Sequence, residues 1–310
     1  MNAFLPEGWR IDLPDNQAAL RDPALLELAC RTGAILEARA SLCDSAHNLM
    51  VDLGCMRGLI PREEAALGIA QGNTRDIAII SRVGKPVSFV ITGFFAGPEG
   101  KTMAMLSRSR VQRDCTEQYL SRLAPGDIIP ARVTHLEPFG SFVDVGCGVV
   151  SLIPIDLISV SRIAHPRDRF RTGQNIRAVV TGFDSQGRLC LSHKELLGSW
   201  EENAARFEAG ATVPGIVRSV EDYGIFVELA PNLAGLAEPR EGVRPGMGAS
   251  VFIKSILPER MKVKLILVDT FERTREQTPL HYYLTSGHLD RWTYSPPGCQ
   301  KVIESVFQAS

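Results

Sequence analysis

Two aromatic pairs with the same spacing are the residues of this sequence whose types could do chemistry. Residues 139–146 and 223–229 both read aromatic-glycine-x-aromatic-valine-acid, with Phe139 and Phe142 in the first stretch and Tyr223 and Phe226 in the second. The residues after each glycine alternate with the period of a β-strand. Exposed aromatic rings can stack on nucleic-acid bases, which contributes roughly 1–3 kcal/mol per base. The two pairs therefore predict a stacking surface.

The aromatic pairs belong to a repeated unit. The matched positions are 84 residues apart without an insertion, and chance similarity rarely keeps register over such a stretch. A weaker third copy lies 92 residues upstream of the first pair, where His47 and Met50 stand in place of the aromatics. We expect three units along the chain.

Each unit has strand-like runs with short turns between them. In the second unit the last two runs are Ile176–Val180 and Arg188–Leu191. Five such strands in roughly 70 residues are typical of a small closed barrel. We expect Gly140 and Gly224 to relieve a tight turn or bulge, and Asn48 to tolerate left-handed geometry in the first unit.

The segments outside the repeats carry helix signals and a cluster of aromatics. Asp22 and Gly33 have the positions of a helix N-cap and stop, and Ser199 and Glu202 have capping-box spacing. An aromatic-rich segment that contains Tyr282 and Trp292 follows the last unit, and we expect it to cap the third barrel. The predicted order is a leader with a helix (1–32), a divergent first barrel (33–110), a helical linker (111–123), the second barrel (124–195), a second helical linker (196–208), the third barrel (209–269) and a C-terminal extension (270–310).

Bulk composition excludes several classes of protein. The chain of 310 residues is 45% hydrophobic and 22% charged with a formal net charge of −1, which is ordinary for a globular protein. No run approaches the ~18 apolar residues of a membrane span, so we expect no membrane contact and a cytoplasmic protein. Seven cysteines without a Cys-x-x-Cys pair predict reduced thiols. No catalytic or metal-binding motif occurs, so we expect a non-enzyme without a cofactor or a metal.

The chain resembles the ribosomal protein S1 family. The resemblance is carried by the aromatic-glycine-x-aromatic-valine step, by the run Leu191-Ser192-His193-Lys194 and by the Trp200 junction. It is specific for residues 124–195 and 209–269, and the overall layout is similar to the short S1-like proteins of low-GC Gram-positive bacteria. The resemblance implies tandem five-stranded OB-fold barrels that bind single-stranded RNA or messenger RNA. It also implies a link to translation, with the small ribosomal subunit or RNA-processing proteins as further partners.

The family binds RNA on the barrel face that carries the two aromatics, which implies a set of site residues here. A histidine after the third strand and an acid and a base near the last turn complete the family's pattern. Pro154 and Glu238 stand where the family often has the histidine, so we expect weaker binding in the third unit. Basic residues after the third strand of unit two are candidates for phosphate contact. The implied RNA-binding residues are Phe139, Phe142, Asp184, Arg188, Tyr223, Phe226, Lys262, Arg162, His165, Arg167, Arg169 and Arg171.

Each of these signals has a structural alternative. Phe142 and Phe226 occupy alternating strand positions and could be core residues, and the arginine run could be a solvated loop. Two other functions compete with RNA binding in translation. One is a protein-interaction or assembly adaptor with degenerate RNA faces, which the near-neutral charge favours. The other is an accessory factor in RNA turnover, which would use the same binding chemistry.

Overall fold

The predicted helical leader is present and begins with two helices. The computed structural model describes residues 4–273 and 280–308. Helix α1 (Pro14–Arg21) comes first, and helix α2 (Pro23–Thr32) follows it. Asp22 caps α2 by accepting a hydrogen bond from the Ala24 amide at 2.8 Å, and Gly33 ends the helix in a left-handed conformation. The sequence thus predicted α2 and missed α1.

Three closed barrels of five strands follow the leader, as the repeat predicted. The first barrel consists of β1 (Leu36–Cys43), β2 (Leu49–Asp52), β3 (Arg57–Ile60), β4 (Pro86–Ala96) and β5 (Thr102–Ser107), with helix α3 (Ile77–Ile80) between β3 and β4 and helix α4 (Arg108–Gln118) after β5. The second barrel consists of β6 (Ile128–Glu137), β7 (Gly140–Gly146), β8 (Val149–Pro154), β9 (Asn175–Phe183) and β10 (Leu189–Ser192), and helix α5 (Trp200–Ala204) follows it. The third barrel consists of β11 (Thr212–Glu221), β12 (Gly224–Ala230), β13 (Leu233–Ala237), β14 (Gly248–Leu257) and β15 (Lys262–Phe271), and a hairpin of β16 (Arg291–Thr293) and β17 (Glu304–Val306) lies in the extension.

The three barrels have one topology, in which each barrel's own strands are hydrogen-bonded in the order first, second, third, fifth, fourth. The third and fifth strands pair in parallel in the barrels formed by β1–β5, β6–β10 and β11–β15. Alternate residues point inward, as in β2, where Leu49 and Val51 are buried and Met50 and Asp52 are not. The interior of each barrel is therefore a packed apolar core.

The chain forms two compact units, which do not coincide with the three repeats of the sequence. Below, the first unit and the second unit are these two compact units. One contains the residues up to Leu123 together with Pro130–Arg132 and Asp144–Val150 of the second barrel. The other contains Ala124–Ile129, Val133–Val143 and the residues from Ser151 onward, which include the third barrel and the extension. No helix in the described part of the chain is long and apolar enough to cross a membrane.

Buried charges hold the leader in the first unit. The Glu7 carboxylate accepts hydrogen bonds from Arg108 at 2.6 and 3.0 Å, and the Glu7 amide donates to Asp144 at 2.7 Å. Burial by itself raises the pKa of Glu7, but Arg108 and Arg82 outweigh it, so this pKa is lowered. Burial, together with the charge of Glu7, raises the pKa of Asp144 to about 7. The leader is thus fixed by ionic contacts rather than by an apolar face alone.

Buried polar contacts join the second and third barrels in the other unit. Asn232, in the turn between β12 and β13, accepts from the Val160 amide at 2.9 Å and donates to the carbonyls of Lys194 and Gly198. Ser199 and Glu202 form the predicted capping box at the start of α5. The hydrogen-bonding groups of the Asn232 side chain are therefore satisfied by the second barrel and the segment that follows it.

The C-terminal extension contacts both barrels of this unit. Trp292, Tyr294 and Phe307 are buried in the core cluster that contains the third barrel's interior. Tyr282, in contrast, donates its hydroxyl to Nε2 of His193, 3.0 Å away, at the end of the second barrel. Part of the region predicted as the extension, residues 274–279 and 309–310, lies outside the described residues.

Burial favours the neutral form of His193. Its Nδ1–H donates to the Ile158 carbonyl at 2.8 Å, so Nε2 is the acceptor for Tyr282. Burial lowers the pKa of His193 to about 4, and the nearby Arg169 lowers it further, against the raising effect of the Ile158 bond. An unfolded histidine has a pKa of about 6.5, so the unfolded state binds the proton first as the pH falls.

We predict that the second unit loses stability as the pH falls from about 6.5 toward 4. In this range His193 takes up a proton in the unfolded chain but not in the folded one, so a fall in pH favours unfolding. The measurement is the free energy of unfolding of this unit at pH 7.5, 6.0 and 5.0, obtained from hydrogen exchange of β9 and β10. His193→Gln keeps a donor and an acceptor without a titration in this range, so its profile between pH 6.5 and 5 should be flatter. Equal slopes in the two proteins would contradict the assignment.

Candidate nucleic-acid interface

The first aromatic pair lies on the outer surface of the second barrel. Phe139 is 56% exposed in the turn before β7, and Phe142 is half-buried on β7. The ring centroids are 6.0 Å apart and the planes meet at 90°, an edge-to-face arrangement that aromatic rings prefer. Ser141 and Val143, on either side of Phe142, are buried. The rings are therefore outside the core, and a planar ligand has access to the face of Phe139.

The third barrel repeats this arrangement. Tyr223 is 67% exposed before β12, and its ring centroid is 6.1 Å from that of Phe226 with an interplanar angle of 87°. Two sequences that share few other residues thus place their rings in the same geometry. The repeat observed in the sequence is a repeat of a surface feature.

The glycine between the two aromatics is required by a close approach of two strands. A Cβ atom on Gly140 would lie 2.5 Å from the Ile153 carbonyl oxygen, and one on Gly224 would lie 2.7 Å from the Ala237 carbonyl oxygen. No L-side chain fits at such distances without a shift of the backbone. In the first repeat we expected left-handed geometry at Asn48, but the residue with a positive φ, of 64°, is His47. The Asn48 side chain instead accepts from the Arg62 amide at 3.0 Å and donates to Asp44.

His135 extends the aromatic surface of the second barrel, and sequence reasoning missed it. It lies on β6, beside β7, with a side chain that is 64% exposed. Its ring is 6.4 Å from that of Phe142 at an angle of 29°, and its Nε2 is 2.6 Å from Glu137. The third barrel has Ser219 opposite Phe226, so the repeat gave no signal for this histidine.

Among the residues that the structure describes, the first barrel shows no ring pair on the corresponding surface. His47 is 3.3 Å from the Asp76 carboxylate, and Asp76 also pairs with Arg62 at 2.8 Å. Met50 occupies the position of Phe142 and lies in a groove of about 950 Å³ with Met56 and Met103. The three methionines line this groove together with the charged residues Asp52, Arg57 and Lys101. Methionine side chains are flexible, which suits adaptable contacts rather than base stacking.

The predicted acid and base of the second barrel contact each other. Asp184 and Arg188 flank the turn between β9 and β10, with Nε of Arg188 2.7 Å from Asp184. Hydrogen bonds from the Arg188 amide and side chain lower the pKa of Asp184. Arg188 remains 69% exposed, so its guanidinium can also reach a ligand. In the third barrel Glu238 and Lys262 are both exposed.

The predicted basic residues between β8 and β9 lie in different surroundings. Arg162 is exposed and lies outside the cleft described next. His165, Arg167 and Arg171 line a cleft of about 800 Å³ in the second unit. The segment is ordered by a capping box in which Nδ1 of His165 accepts from the Arg167 amide at 3.1 Å.

The prediction for Arg169 is wrong. Its side chain is 3% exposed and forms an ion pair with Glu228 of the third barrel. Nε of Arg169 donates to Ser159 at 3.2 Å, and Arg218 holds the same Glu228 carboxylate through two hydrogen bonds of 2.8 and 3.0 Å. An arginine that compensates a buried carboxylate cannot also contact phosphate, so Arg169 is a structural residue of the junction between two barrels.

The described residues contain no group of three or more histidine, cysteine or acidic side chains arranged to hold a metal ion. All seven cysteines are free thiols, and two of them, Cys115 and Cys147, are buried.

We predict that Gly140→Ala destabilises the second barrel, because the added methyl group meets a backbone carbonyl that cannot move without breaking strand contacts. The expected loss is about 1–3 kcal/mol, the usual range for overpacking. Gly93→Ala is the control, since nothing lies within 4 Å of its Cβ. Chemical denaturation of both variants measures the effect, and a Gly140→Ala protein as stable as Gly93→Ala would contradict the account.

We also predict that Glu228→Gln destabilises the second unit, because two guanidinium groups lose their shared carboxylate. Removal of one partner from a buried pair costs about 3–5 kcal/mol. Glu272→Gln is the matched control, since its ion pair with Arg244 is exposed. Thermal unfolding should show a large shift for the first variant and little for the second, and similar shifts would argue against a buried clamp.

Several known proteins are similar to this chain in sequence. Residues 122–194 match the model of the S1 RNA binding domain family. The chain is 31% identical over 161 residues to the small ribosomal subunit protein bS1 of Leuconostoc lactis. This alignment covers 48% of this chain and 37% of that protein. It is 27% identical over 246 residues to the bS1 homolog of Bacillus subtilis, which covers 74% of this chain and 61% of that protein. A solved multidomain protein with nucleic acid binding domains from Streptococcus pneumoniae matches with 15% identity over 76% of this chain and 73% of that one, at a TM-score of 0.25.

The matched regions span less than two thirds of the length of these bS1 relatives. All five strands of the second barrel lie within the matched residues 122–194. The predicted resemblance to the ribosomal protein S1 family is confirmed, and it is strongest in the second barrel, whose strands all lie in the stretch that matches the S1 RNA binding domain model.

Proposed function

We propose that this protein binds single-stranded RNA by stacking unpaired bases on the ring pairs of its second and third barrels. The observation that carries the proposal is the recurrence of one exposed edge-to-face ring pair on both barrels. A ring face accepts any base, so such binding tolerates many sequences. The bases of a duplex are stacked on one another, so the rings select single strands.

The second barrel is the stronger binding site in this proposal. The ring of His135 stacks beside its ring pair, and the same barrel carries the exposed guanidinium of Arg188. The third barrel has the exposed carboxylate of Glu238 next to Ala237, which pairs with Ile225 of β12. A negative charge near the rings repels the phosphate backbone, and Lys262 offsets this only in part.

Translation is the process that the relatives' names indicate. The proteins from Leuconostoc and Bacillus are named as small ribosomal subunit proteins. By this similarity the chain acts in the cytoplasm as a non-catalytic protein that holds messenger RNA, with the small ribosomal subunit as a partner. The predicted domain boundaries and the site residues other than Arg169 are part of this proposal.

A protein-binding role fits the first barrel better than RNA binding does. Its outer surface has a methionine-lined groove where the other barrels have rings. Methionine side chains adapt to apolar partners of different shape. The adaptor function therefore complements the RNA-binding proposal, with each function on a different barrel.

We predict that Phe139→Ala/Phe142→Ala weakens the affinity for an unstructured RNA at least tenfold, which corresponds to about 1.4 kcal/mol. The measurement is fluorescence anisotropy of a labelled RNA without secondary structure. The control is Val302→Ala, which removes a side chain that is 63% exposed and belongs to neither pair.

Tight binding by the original protein and the control, with loss in the double variant, is the result that the proposal requires. If the unsubstituted protein does not bind RNA, the RNA-binding proposal is wrong and the adaptor function is the one that remains. Equal binding by all three proteins would show that the rings of the second barrel do not contact RNA.

A further inference from the structure

A cleft in the second unit lies between the second and third barrels and is lined by arginines from both. The second barrel contributes its connection between β8 and β9, and the third barrel contributes β11, the segment before β14 and the residues after β15. The cleft has a volume of about 800 Å³. The arginines that line it are Arg167, Arg171, Arg218, Arg244 and Arg273.

The cleft carries an excess of positive charge in a chain whose net charge is −1. Five guanidinium groups and two carboxylates, Asp168 and Glu272, line it, and one of the five, Arg218, is bonded to Glu228 and lies 3.6 Å from Asp168. Low-dielectric walls concentrate the field of such a cleft, and a planar guanidinium binds phosphate through paired hydrogen bonds. An excess of positive charge in a concave site is an electrostatic footprint for an extended anion.

The arginines differ in how they can act. Arg218 is 10% exposed and bound by Glu228, so it is a fixed part of the wall. Arg244 pairs with Glu272, but the two side chains are 72% and 76% exposed, and such an ion pair is worth little. Arg171 is exposed at the rim. A phosphate can therefore replace Glu272 at Arg244 and approach Arg171 at small cost.

The cleft also adjoins the aromatic surface of the second barrel. Leu136 lines the cleft, and its neighbour His135 on β6 stacks beside Phe142. β6 therefore carries both a residue of the ring cluster and a residue that lines the cleft.

The two walls hold a fixed relation because buried contacts join the barrels. Arg169 of the second barrel and Glu228 of the third are ion-paired beneath the cleft, and Asn232 binds the segment that leaves the second barrel. A preformed cleft loses little conformational entropy when it binds an anion. The structure thus combines a positive charge, a fixed width and continuity with a stacking surface.

We propose that this cleft between barrels binds the phosphate backbone of the RNA that leaves the ring pair of the second barrel. The inference rests on the proposed RNA-binding function and gives it a path from one barrel toward the next. The arginines of the third barrel then contribute phosphate contacts while its own ring pair binds weakly.

The test compares Arg171→Gln/Arg244→Gln with Arg206→Gln/Arg291→Gln. The control pair also removes two exposed arginines of the same unit, and Arg291 is ion-paired with Glu304 as Arg244 is with Glu272. Anisotropy is measured from low to high salt with unstructured RNAs of about 4 and about 16 nucleotides, the limits of site size for one OB-fold. For single-stranded RNA, each phosphate contact adds about 0.7 to the steepness of the plot of log binding constant against log salt concentration.

The proposal requires that the cleft variant lowers the slope for the longer RNA by about 1.4, for two lost contacts, while the control does not. The short RNA should bind both variants alike, because the rings alone can hold it. An unchanged slope in the cleft variant, with binding that still depends on Phe139 and Phe142, would overturn the cleft and leave the stacking function intact. Absence of RNA binding by the original protein would overturn both.

Discussion

The candidate site depends on one steric constraint, the contact of a glycine with the carbonyl of the neighbouring strand. Two residues three positions apart on a regular strand point to opposite faces. Phe139 and Phe142 share a face because the chain turns into β7 between them, and Gly140 lets β7 start directly against Ile153. The same contact at Gly224 gives the third barrel its ring pair. Ring geometry is thus set by the backbone, and the barrel is the rigid support of a two-ring surface.

The second requirement is that charged groups be buried without being left unpaired. Glu228 lies between Arg169 and Arg218 at the junction of two barrels, and Asn232 has partners for its whole amide group. Burial of a carboxylate is expensive unless each oxygen is satisfied, so this arrangement favours one relative position of the two barrels. The arginines of the cleft above it are held at a fixed spacing as a result. Stability of the junction and binding of an extended anion therefore depend on the same contacts.

Local patterns were sufficient to predict the barrels, the ring pairs and the caps. The capping box of Ser199 and Glu202 and the cap of Asp22 follow from short-range chemistry, and the strand alternation follows from burial on one side. Long-range partners were not predictable. Arg169 looked like its exposed neighbours in sequence, and only the fold brings Glu228, 59 residues away, beside it. His135 and the contact between Tyr282 and His193 were missed for another reason, which is that the repeat has no equivalent of either.

The central claim is that the rings of the second and third barrels contact RNA bases directly. Photo-crosslinking of the intact protein to a single-stranded RNA with 5-bromouridine, followed by mass spectrometry of the joined peptides, tests this contact without a change to the protein. The account predicts crosslinks at Phe139 and Phe142 first, with weaker ones at Tyr223 and Phe226. Crosslinks confined to the first barrel, or none at a concentration where RNA is bound, would contradict it.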